Sequence, residues 1–230
     1  MKLMTLNMRH GGSARIAAIG DHLLSQEADV LVCTEARANA SGEALAKRME
    51  SSGYQAFRSH AADHRQNGVV VFSQFPAVSV TTKPAEADQN RIVACRVGSL
   101  TIAGVYFALN HQKASLFDYL LAKPTELGDD YLVIGDFNTG RHRVDEVGAT
   151  FFCEDRFAAL PAAGFHDLWR QSNGDEAREF SWASHRGGNF RLDHAFGSRK
   201  AAARLIDCRY DHSTRPRLTD HSALVVNLSD

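Results

Sequence analysis

The chain has 230 residues, of which 44% are hydrophobic and 23% charged, proportions typical of a globular protein rather than a disordered or fibrous one. Lys and Arg number 26 against 27 for Asp and Glu, which gives a formal net charge of -1 and excludes a strongly basic coat for nucleic acid. Apolar runs stay well short of the roughly 20 residues that cross a bilayer, and the amino terminus lacks an apolar signal core, so we expect a soluble cytoplasmic protein with no membrane partner.

Apolar runs and turn residues predict many short strands and a few helices. Strands are predicted at residues 2–7, 30–34, 69–72, 91–97, 101–107, 131–134, 192–196, 205–209 and 222–227. Helices are predicted at residues 41–52, 113–121 and 155–160, and a further helix is predicted to be capped by Ser13, with apolar positions at Ile16, Ile19 and Leu23.

Hairpins that alternate with crossover helices predict a fold of the α/β (α+β) class with mixed sheets. Two packed mixed β-sheets with helices outside, a four-layer sandwich, accommodate this number of strands. The sequence contains no repeat, low-complexity tract or linker. We therefore expect a single domain over residues 1–230, present as a monomer.

The four cysteines are far apart in the sequence and form no C-x-x-C pair; they are Cys33, Cys95, Cys153 and Cys208. A domain of this length does not need disulfide bonds for stability, and the spacing of zinc ligands is absent. We therefore expect buried free thiols and a reducing compartment.

Residues 170–217 form a basic segment, which contains 10 Lys or Arg and 6 Asp or Glu. In the whole chain Arg outnumbers Lys by 20 to 6, and Arg is the better bidentate ligand of phosphate. Arg-rich codon usage explains both features equally well. A phosphate-binding face on this segment is therefore one of two hypotheses.

Acidic and amide side chains stand at the ends of the predicted strands. They are Asn7, Glu35, Asp136 with Asn138, Asp193, and Asp220 followed by His221. Each has a separate explanation, since Asn7 can cap a turn, Glu35 can pair with Arg37, and Asp136 can start an Asx-turn. Because strand ends in α/β proteins commonly project polar groups into one crevice, a single shared site accounts for all of them together.

This set offers carboxylates and amides without thiolates, and such hard oxygen ligands favour Mg²⁺ or Mn²⁺ over zinc. Mg²⁺ typically uses one or two protein carboxylates and leaves its other positions to water and substrate phosphate. A metal ion, a carboxylate that accepts a proton from water, and a His–Asp pair together indicate hydrolysis of a phosphoric ester.

Two motifs and their order give a family resemblance. Leu-Val-Ile-Gly-Asp-Phe-Asn at 132–138, followed by Leu-Thr-Asp-His-Ser at 218–222, resembles the endonuclease/exonuclease/phosphatase superfamily. That superfamily also carries an Asn at the end of its first strand and a Glu after an apolar run, as Asn7 and Glu35 do here. The resemblance extends from Leu3 to Val226, with all blocks in the expected order.

Within the superfamily, Gly-Val-Tyr-Phe at 104–107 resembles the exonuclease III and apurinic/apyrimidinic endonuclease branch, which has a Tyr at the position of Tyr106. Deoxyribonuclease I and several phosphatase branches have a His at an equivalent strand end, and His111 offers a competing alignment here. The segment 180–193 also resembles the exonuclease III branch. The resemblance therefore implies a DNA-repair nuclease with DNA as its substrate.

The resemblance implies a metal site and a group that activates water. It implies that Glu35 and Asp220 bind the metal ion, with Asn7 helping to hold the ion or its water ligands. It further implies that Asp136 positions and deprotonates the attacking water, while Asn138 donates a hydrogen bond to the phosphate or the nucleophile.

The resemblance also implies groups that stabilise the transition state. His221 would lie against the scissile phosphate as a cationic donor. Asp193 would accept from the other ring nitrogen of His221 and favour its charged form. Tyr106 would hydrogen-bond the phosphate or steady the leaving oxygen.

Trp182, Phe190 and Leu192 are expected to wall a pocket for a sugar without its base, or to stack on a terminal base. Arg191 belongs to the same resembling segment and is expected to bind substrate. Trp182 and Leu192 have the alternative of being core residues, whereas Phe190 follows Gly-Gly-Asn at 187–189 and is expected to be exposed.

Three functions stay open at this point. The first is a Mg²⁺-dependent DNA phosphodiesterase, acting as an abasic-site endonuclease, a 3′-to-5′ exonuclease, or both, and Tyr106 favours it. The second is a phosphatase or phosphodiesterase of a small phosphorylated metabolite or lipid headgroup, favoured by the modest basic charge and short loops. The third is a binding module with a decayed site, which the complete set of site residues disfavours.

Overall fold

Valine-rich and isoleucine-rich runs form the buried central strands of the protein, seen here in a computed structural model that describes residues 1–122, 124–184 and 187–229. The strands are β1 (Lys2–Asn7), β2 (Val30–Ala36), β3 (Gln55–Arg58), β4 (Gly68–Ser73), β5 (Ala77–Val80), β6 (Ile92–Val97), β7 (Leu100–Tyr106), β8 (Tyr131–Asp136), β9 (His166–Asp167), β10 (Trp182–Ala183), β11 (Asn189–Phe190), β12 (Asp193–Gly197), β13 (Leu205–Asp211) and β14 (Ala223–Leu228). The α-helices are α1 (Ile16–Ser25), α2 (Ala40–Ser51), α3 (Ala114–Leu121), α4 (Glu154–Ala159), α5 (Leu168–Asn173) and α6 (Arg199–Ala203). None of the helices in these described ranges is both long and apolar enough to cross a membrane.

The strands assemble into two six-stranded sheets and one small hairpin. The first sheet has the order β13-β14-β1-β2-β4-β3, and the second has the order β5-β6-β7-β8-β12-β9. The pairs β1–β2 and β7–β8 are parallel, whereas β1–β14 and β8–β12 are antiparallel, as is the separate β10–β11 hairpin. Both sheets are therefore mixed, which confirms the prediction from the hairpins and crossover helices.

The two sheets pack face to face through one shared core. Leu3 and Val32 from the first sheet and Ile102 and Ile134 from the second belong to one buried cluster. A Cβ atom on Gly104 would lie 2.8 Å from Val32 Cγ1 across this interface, so a glycine permits the close approach of the sheets. Helices α1 and α2 cover the outer face of the first sheet, and α3 and α4 cover that of the second. This is the predicted four-layer sandwich.

The helix predicted to be capped by Ser13 starts differently in the structure. Residues Ser13–Arg15 form a 3₁₀ turn, and α1 follows with Arg15 at its N-cap and no side-chain cap. Ser13 has a left-handed backbone with φ of 44°, so it belongs to the turn that precedes the helix. The apolar spacing of Ile16, Ile19 and Leu23 nevertheless predicted the correct buried face, because Ile19 and Leu23 are buried.

The strands β3, β5 and β9 to β11 and the helices α5 and α6 were not predicted. β9, β10 and β11 have only two residues each. β3 and β5 are four-residue edge strands with several half-exposed or exposed side chains, and so they lack an apolar run. α5 and α6 have only six and five residues, too few to show helical periodicity. The four cysteines are free and buried, as predicted.

The topology brings several strand ends to one edge of the molecule. β1 and β2 run parallel, so Asn7 and Glu35 lie at neighbouring carboxyl ends. β14 and β12 run antiparallel to β1 and β8, so the residues that precede or begin β14 and β12 lie at the same edge. Asp136 at the end of β8 pairs with Asp193 at the start of β12.

Candidate active site

Asn7 joins the two sheets at this edge. Its side chain is buried, and Nδ2 donates to Glu35 Oε1 at 3.2 Å and to Asp136 Oδ2 at 2.8 Å. The backbone N–H of Arg9 donates to Asn7 Oδ1 at 2.8 Å, which fixes the orientation of the amide. Asn7 therefore holds one carboxylate from each sheet in place.

Asp136, Asp193 and His221 form a compact buried group. Each offers one atom that lies within 4.8 Å of the corresponding atoms of the other two. His221 Nδ1 lies 2.8 Å from Asp193 Oδ2, and Thr214 Oγ1 donates to the His221 carbonyl at 2.7 Å. Because Nδ1 and Oδ2 bond to each other, the geometry is that of a His–Asp pair beside a second carboxylate rather than of three shared metal ligands.

The environment shifts the pKa of both Asp136 and His221. Burial, reinforced by the negative charge of Asp193, raises the pKa of Asp136 to about 7. Burial disfavours the charged form of His221, but the charge and hydrogen bond of Asp193 outweigh it and raise the His221 pKa to about 9. The site thus combines a carboxyl able to take up a proton near neutral pH with an imidazolium.

Asn138 is held tightly next to Asp136. Its backbone N–H donates to Asp136 Oδ1 at 2.8 Å, and its Nδ2 donates to the carbonyl of Phe107 at 2.8 Å. The backbone is left-handed, with φ of 50°. Lys113, just before α3, donates from Nζ to the Asn138 carbonyl. Lys113 is buried under the site, and no pattern in the sequence had singled it out.

Tyr106 ends β7 beside β8 and lines the same cleft as Asp136. Burial and then the nearby carboxylates of Glu35 and Asp136 raise its pKa, which keeps the phenol protonated. The guanidinium carbon of Arg91 lies 5.8 Å from the ring centroid. Tyr106 therefore presents a neutral hydroxyl donor to the cleft.

The residues predicted to bind a metal ion are a suitable donor set. Glu35 and Asp220 line the cleft, and Asn7 lies behind Glu35. Glu35 Oε2 accepts from the backbone N–H of His10 at 2.7 Å and from Asn67 Nδ2 at 3.0 Å, which orients the carboxylate. Two cleft carboxylates, with no cysteine among the described lining residues, fit the oxygen preference of Mg²⁺ or Mn²⁺.

The cleft itself has a volume of about 610 Å³, within the range of small-ligand sites. Trp182 and Phe190 line it and are half-buried, and Trp182 Nε1 donates to Asp220 Oδ2 at 3.2 Å. Leu192 also lines it, although only 8% of its surface is exposed. The structure adds Phe151, Phe152 and Leu109 to the lining, which sequence reasoning had missed because they lie in loops.

Arg191 does not reach this cleft, so its predicted contact with substrate is wrong. It is fully buried, with Nε 2.6 Å from Asp145 Oδ1 and Nη2 2.6 Å from Asp167 Oδ2. Its guanidinium lies 4.7 Å from the Trp169 ring centroid, and Arg170 also pairs with Asp145. We call Arg170, Arg191, Asp145 and Asp167 the buried ion cluster.

His194 lies against the buried ion cluster. Its Nε2 is 2.8 Å from the Thr139 carbonyl oxygen and 3.1 Å from that of Arg191, so this nitrogen carries the proton. Burial, and then the positive charge of Arg191, lower the pKa of His194 to about 4. His194 is therefore neutral in the folded protein at neutral pH.

Three arginines of the basic segment 170–217 do not contribute to a phosphate-binding face at the cleft. Arg170 and Arg191 are buried in the ion cluster. Arg204 pairs with Asp130 at 2.8 Å, at the end of β8 opposite the candidate site. Arg186 of this segment lies outside the described residues.

Comparisons with known proteins agree with the geometry. The profile of a family described as the endonuclease/exonuclease/phosphatase family matches residues 4–221. A search of curated protein sequences found no match. Among solved structures, the 3′–5′ exonuclease NExo from Neisseria meningitidis superposes with a TM-score of 0.85 at 21% identity over 100% of both chains. The 3′ phosphatase NExo from Neisseria, bound to a product DNA hairpin, gives 0.85 at 20% identity, and an AP endonuclease from Archaeoglobus fulgidus gives 0.85 at 18%, both over 100% of each chain. At these identities the superpositions show a shared fold.

Proposed function

Because the chain belongs to the endonuclease/exonuclease/phosphatase family, we propose that it is a metal-dependent hydrolase of phosphoric esters in DNA, acting as an abasic-site endonuclease, a 3′-to-5′ exonuclease, or both. The observation that carries the proposal is the buried group of Asp136, Asp193 and His221 in one cleft with Glu35. The solved relatives described as a DNA-bound 3′ phosphatase, a 3′–5′ exonuclease and an AP endonuclease support DNA as the substrate.

Enzymes of this family generally depend on a divalent metal ion, and Glu35 and Asp220 are the residues that would hold it here. When bound, such an ion supplies Lewis-acid polarisation of a phosphoryl oxygen. Asn7 fixes Glu35 through its Nδ2, while its Oδ1 is engaged by the N–H of Arg9. The role of Asn7 is therefore to orient the ligand carboxylate.

Asp136 is the general base of the proposed mechanism. Asn7 and Asn138 donate to its two oxygens and fix its position, and its pKa of about 7 suits proton uptake from water at neutral pH. The water oxygen attacks phosphorus, its proton passes to the Asp136 carboxylate, and the bond to the leaving oxygen breaks. The Asn138 amide donates from Nδ2 to the Phe107 carbonyl at 2.8 Å and to Asp136 Oδ2 at 3.3 Å, so its role in the proposed mechanism is to position the base.

His221 and Tyr106 stabilise the developing charge. Asp193 accepts from His221 Nδ1, which leaves Nε2–H of the imidazolium free to donate to a phosphoryl oxygen. Tyr106 adds a neutral hydroxyl on the Glu35 side of the cleft. Both donors are preorganised by burial, so little reorganisation is needed during the reaction.

A second candidate is hydrolysis of a small phosphorylated metabolite or lipid headgroup. It is favoured by the formal net charge of -1 and by the burial of Arg170 and Arg191, since a broad duplex footprint needs exposed cations. The same metal and base chemistry would serve it. The number of exposed cations therefore distinguishes the two candidate functions, whereas the catalytic residues are compatible with both.

The decisive experiment compares substrates side by side. Purified protein with Mg²⁺ is given an abasic duplex, a recessed 3′ end, and a panel of small phosphomonoesters. We expect hydrolysis of at least one DNA substrate and loss of this activity in Asp136→Asn. Phe75→Ala should keep full activity, because Phe75 is exposed and follows the end of β4 that lies away from the cleft. Turnover confined to the small esters would establish the second candidate instead.

A further inference from the structure

Two segments that lie apart in the sequence carry the His–Asp pair. Asp193 begins β12, and His221 stands two residues before β14. A hydrogen bond of 2.8 Å joins His221 Nδ1 to Asp193 Oδ2. The other carboxylate oxygen, Asp193 Oδ1, is buried and has no hydrogen-bond partner among the described residues. The orientation of the carboxylate toward the imidazole therefore depends on where the backbone holds the two residues.

Ser181 connects these two segments. It is fully buried, and its Oγ accepts from the backbone N–H of Leu192 at 2.9 Å and from that of Asp193 at 3.1 Å. The carbonyl of Ser181 accepts from the N–H of Ser222, the residue after His221, at 2.7 Å. One residue thus binds peptide groups on both sides of the His–Asp pair.

Two other hydroxyls hold the carbonyl groups of the same pair. Tyr210 Oη donates to the Asp193 carbonyl at 2.5 Å, and Thr214 Oγ1 donates to the His221 carbonyl at 2.7 Å. Removal of the Ser181 hydroxyl would therefore release the N–H side of Asp193 alone. Because a buried N–H group without an acceptor is costly, we expect the backbone at the start of β12 to shift and to carry the carboxylate with it.

Such a shift is expected to affect the rate of the reaction. Catalytic groups have to be held within about 0.5 Å of their productive positions, and a misplacement of about 1 Å can lower a rate by about 10²-fold. The carboxylate of Asp193 cannot compensate through Oδ1, because this oxygen has no donor in the described part of the chain.

We propose that Ser181 is a positioning residue of the hydrolytic site, whose hydroxyl and carbonyl hold Asp193 and His221 in place relative to each other. This inference rests on the proposed function for the role of His221 at the scissile phosphate. Ser181 is fully buried and is not among the described residues that line the cleft, so it acts through the pair and does not touch substrate.

Ser198 provides a matched control at the opposite end of β12. Its hydroxyl is also buried and accepts two backbone N–H groups, that of Tyr131 at 3.2 Å and that of Ala201 at 3.1 Å. Ser198 follows the last residue of β12, whereas Ser181 binds the first. Ser181→Ala and Ser198→Ala should each lower Tm by about 2–12 °C, because in both variants two buried N–H groups lose their acceptor.

Nuclear magnetic resonance measures the pair without substrate. A buried ring N–H that donates to a carboxylate gives a signal far downfield of the backbone amides, and its loss in His221→Asn identifies the signal of His221. We expect this signal to move upfield or to broaden in Ser181→Ala. It should stay in place in Ser198→Ala and in Ser181→Thr, which keeps the hydroxyl.

Kinetics with Mg²⁺ and DNA measure the consequence for the reaction. In Ser181→Ala we expect kcat to fall by about 10- to 100-fold with KM little changed, since the groups that line the cleft remain. Ser198→Ala and Ser181→Thr should keep the wild-type kcat. A purely structural role of Ser181 would instead lower Tm in both alanine variants and leave kcat and the His221 signal alike in the two.

Either an unchanged His221 signal or an unchanged kcat in a folded Ser181→Ala protein would overturn the inference, and so would the absence of the signal from the wild-type protein. If Ser181→Ala does not fold, Ser181→Cys takes its place with the same expected changes, because sulfur fills the position but accepts weakly. The signal is recorded without DNA. A protein that shows the expected signals but hydrolyses no DNA substrate would therefore contradict the proposed function and leave the positioning of the pair by Ser181 supported.

Discussion

Arg191→Met is expected to destabilise the fold rather than to weaken substrate binding. Arg191 is fully buried, and its two ion pairs, to Asp145 and Asp167, are each 2.6 Å long. Methionine fills much of the space but leaves both carboxylates buried with only Arg170 as a cation. Removing one partner of a buried pair typically costs about 3–5 kcal/mol, because the remaining charge is desolvated without compensation.

Urea denaturation measures this loss directly, and thermal denaturation gives a second value. For a chain of this size 1 kcal/mol corresponds to about 2–4 °C, so we expect a fall in Tm of roughly 6–20 °C. Arg58→Met is the matched control, because Arg58 pairs with Glu43 at 3.0 Å while both side chains are about half exposed. The free energy of unfolding of Arg58→Met should fall by less than about 1 kcal/mol.

Stability and substrate binding are expected to respond differently to Arg191→Met. Arg191→Met that remains folded should keep its KM for DNA, since the guanidinium does not line the cleft. A stability loss below about 1 kcal/mol combined with a raised KM would show that the guanidinium reaches substrate. That result would refute the assignment of Arg191 to the buried ion cluster.

Three other outcomes are expected. Asp136→Asn should lower kcat for DNA hydrolysis by about 10²- to 10⁴-fold, the usual contribution of a general base, and a loss below about tenfold would mean that another group activates the water. A chelator should abolish hydrolysis, and Mg²⁺ or Mn²⁺ should restore it. Calorimetry should find Mn²⁺ binding weakened at least about tenfold in Glu35→Gln, and unchanged binding would place the ion elsewhere. Because folding lowers the pKa of His194 from 6.5 to about 4, the unfolded chain takes up this proton first as the pH falls. The contribution of neutral His194 to the free energy of unfolding is therefore fully present above about pH 6.5, and roughly 3 kcal/mol of it is lost by pH 4. Urea titrations should show a smaller fall in the free energy of unfolding over this pH range in His194→Gln.

The strand ends were the predictable part of the site. Apolar runs identified β1, β2 and β8, and the polar residue after each run had to lie at an edge of a sheet. Asn7, Glu35 and Asp136 do meet there, with Asn7 donating to both carboxylates. The apolar run that marks a strand is local in sequence, so the strand and its end can be read from the pattern of residues, whereas its pairing partner, as in β1 with β14, lies far away in the chain.

Residues that depend on loop paths were not predictable. Phe151 reaches the cleft because Glu146 accepts the backbone N–H groups of Thr150 and Phe151, and no apolar period marks such a loop. Lys113 is buried by the turn before α3, in a position where a lysine is ordinarily exposed. Glu146 is in turn bridged to Phe190, and Lys113 donates to the Asn138 carbonyl, so both residues are placed through contacts between segments that are distant in the chain.

Arg191 shows why composition left two explanations open for the basic segment. Net charge counts every cation alike, whereas binding depends on which cations remain in water. The Arg191 N–H donates to the Asp145 carbonyl at 2.8 Å, and Asp145 Oδ2 accepts from the Arg141 N–H at 2.8 Å, so the ion cluster fixes the start of the loop that continues through Glu146 to Phe151. The arginine that resembled a substrate contact instead supports the loop that brings Phe151 to the cleft. Net charge therefore says little about the surface near the cleft, because the cations that it counts include two that are buried in structural ion pairs.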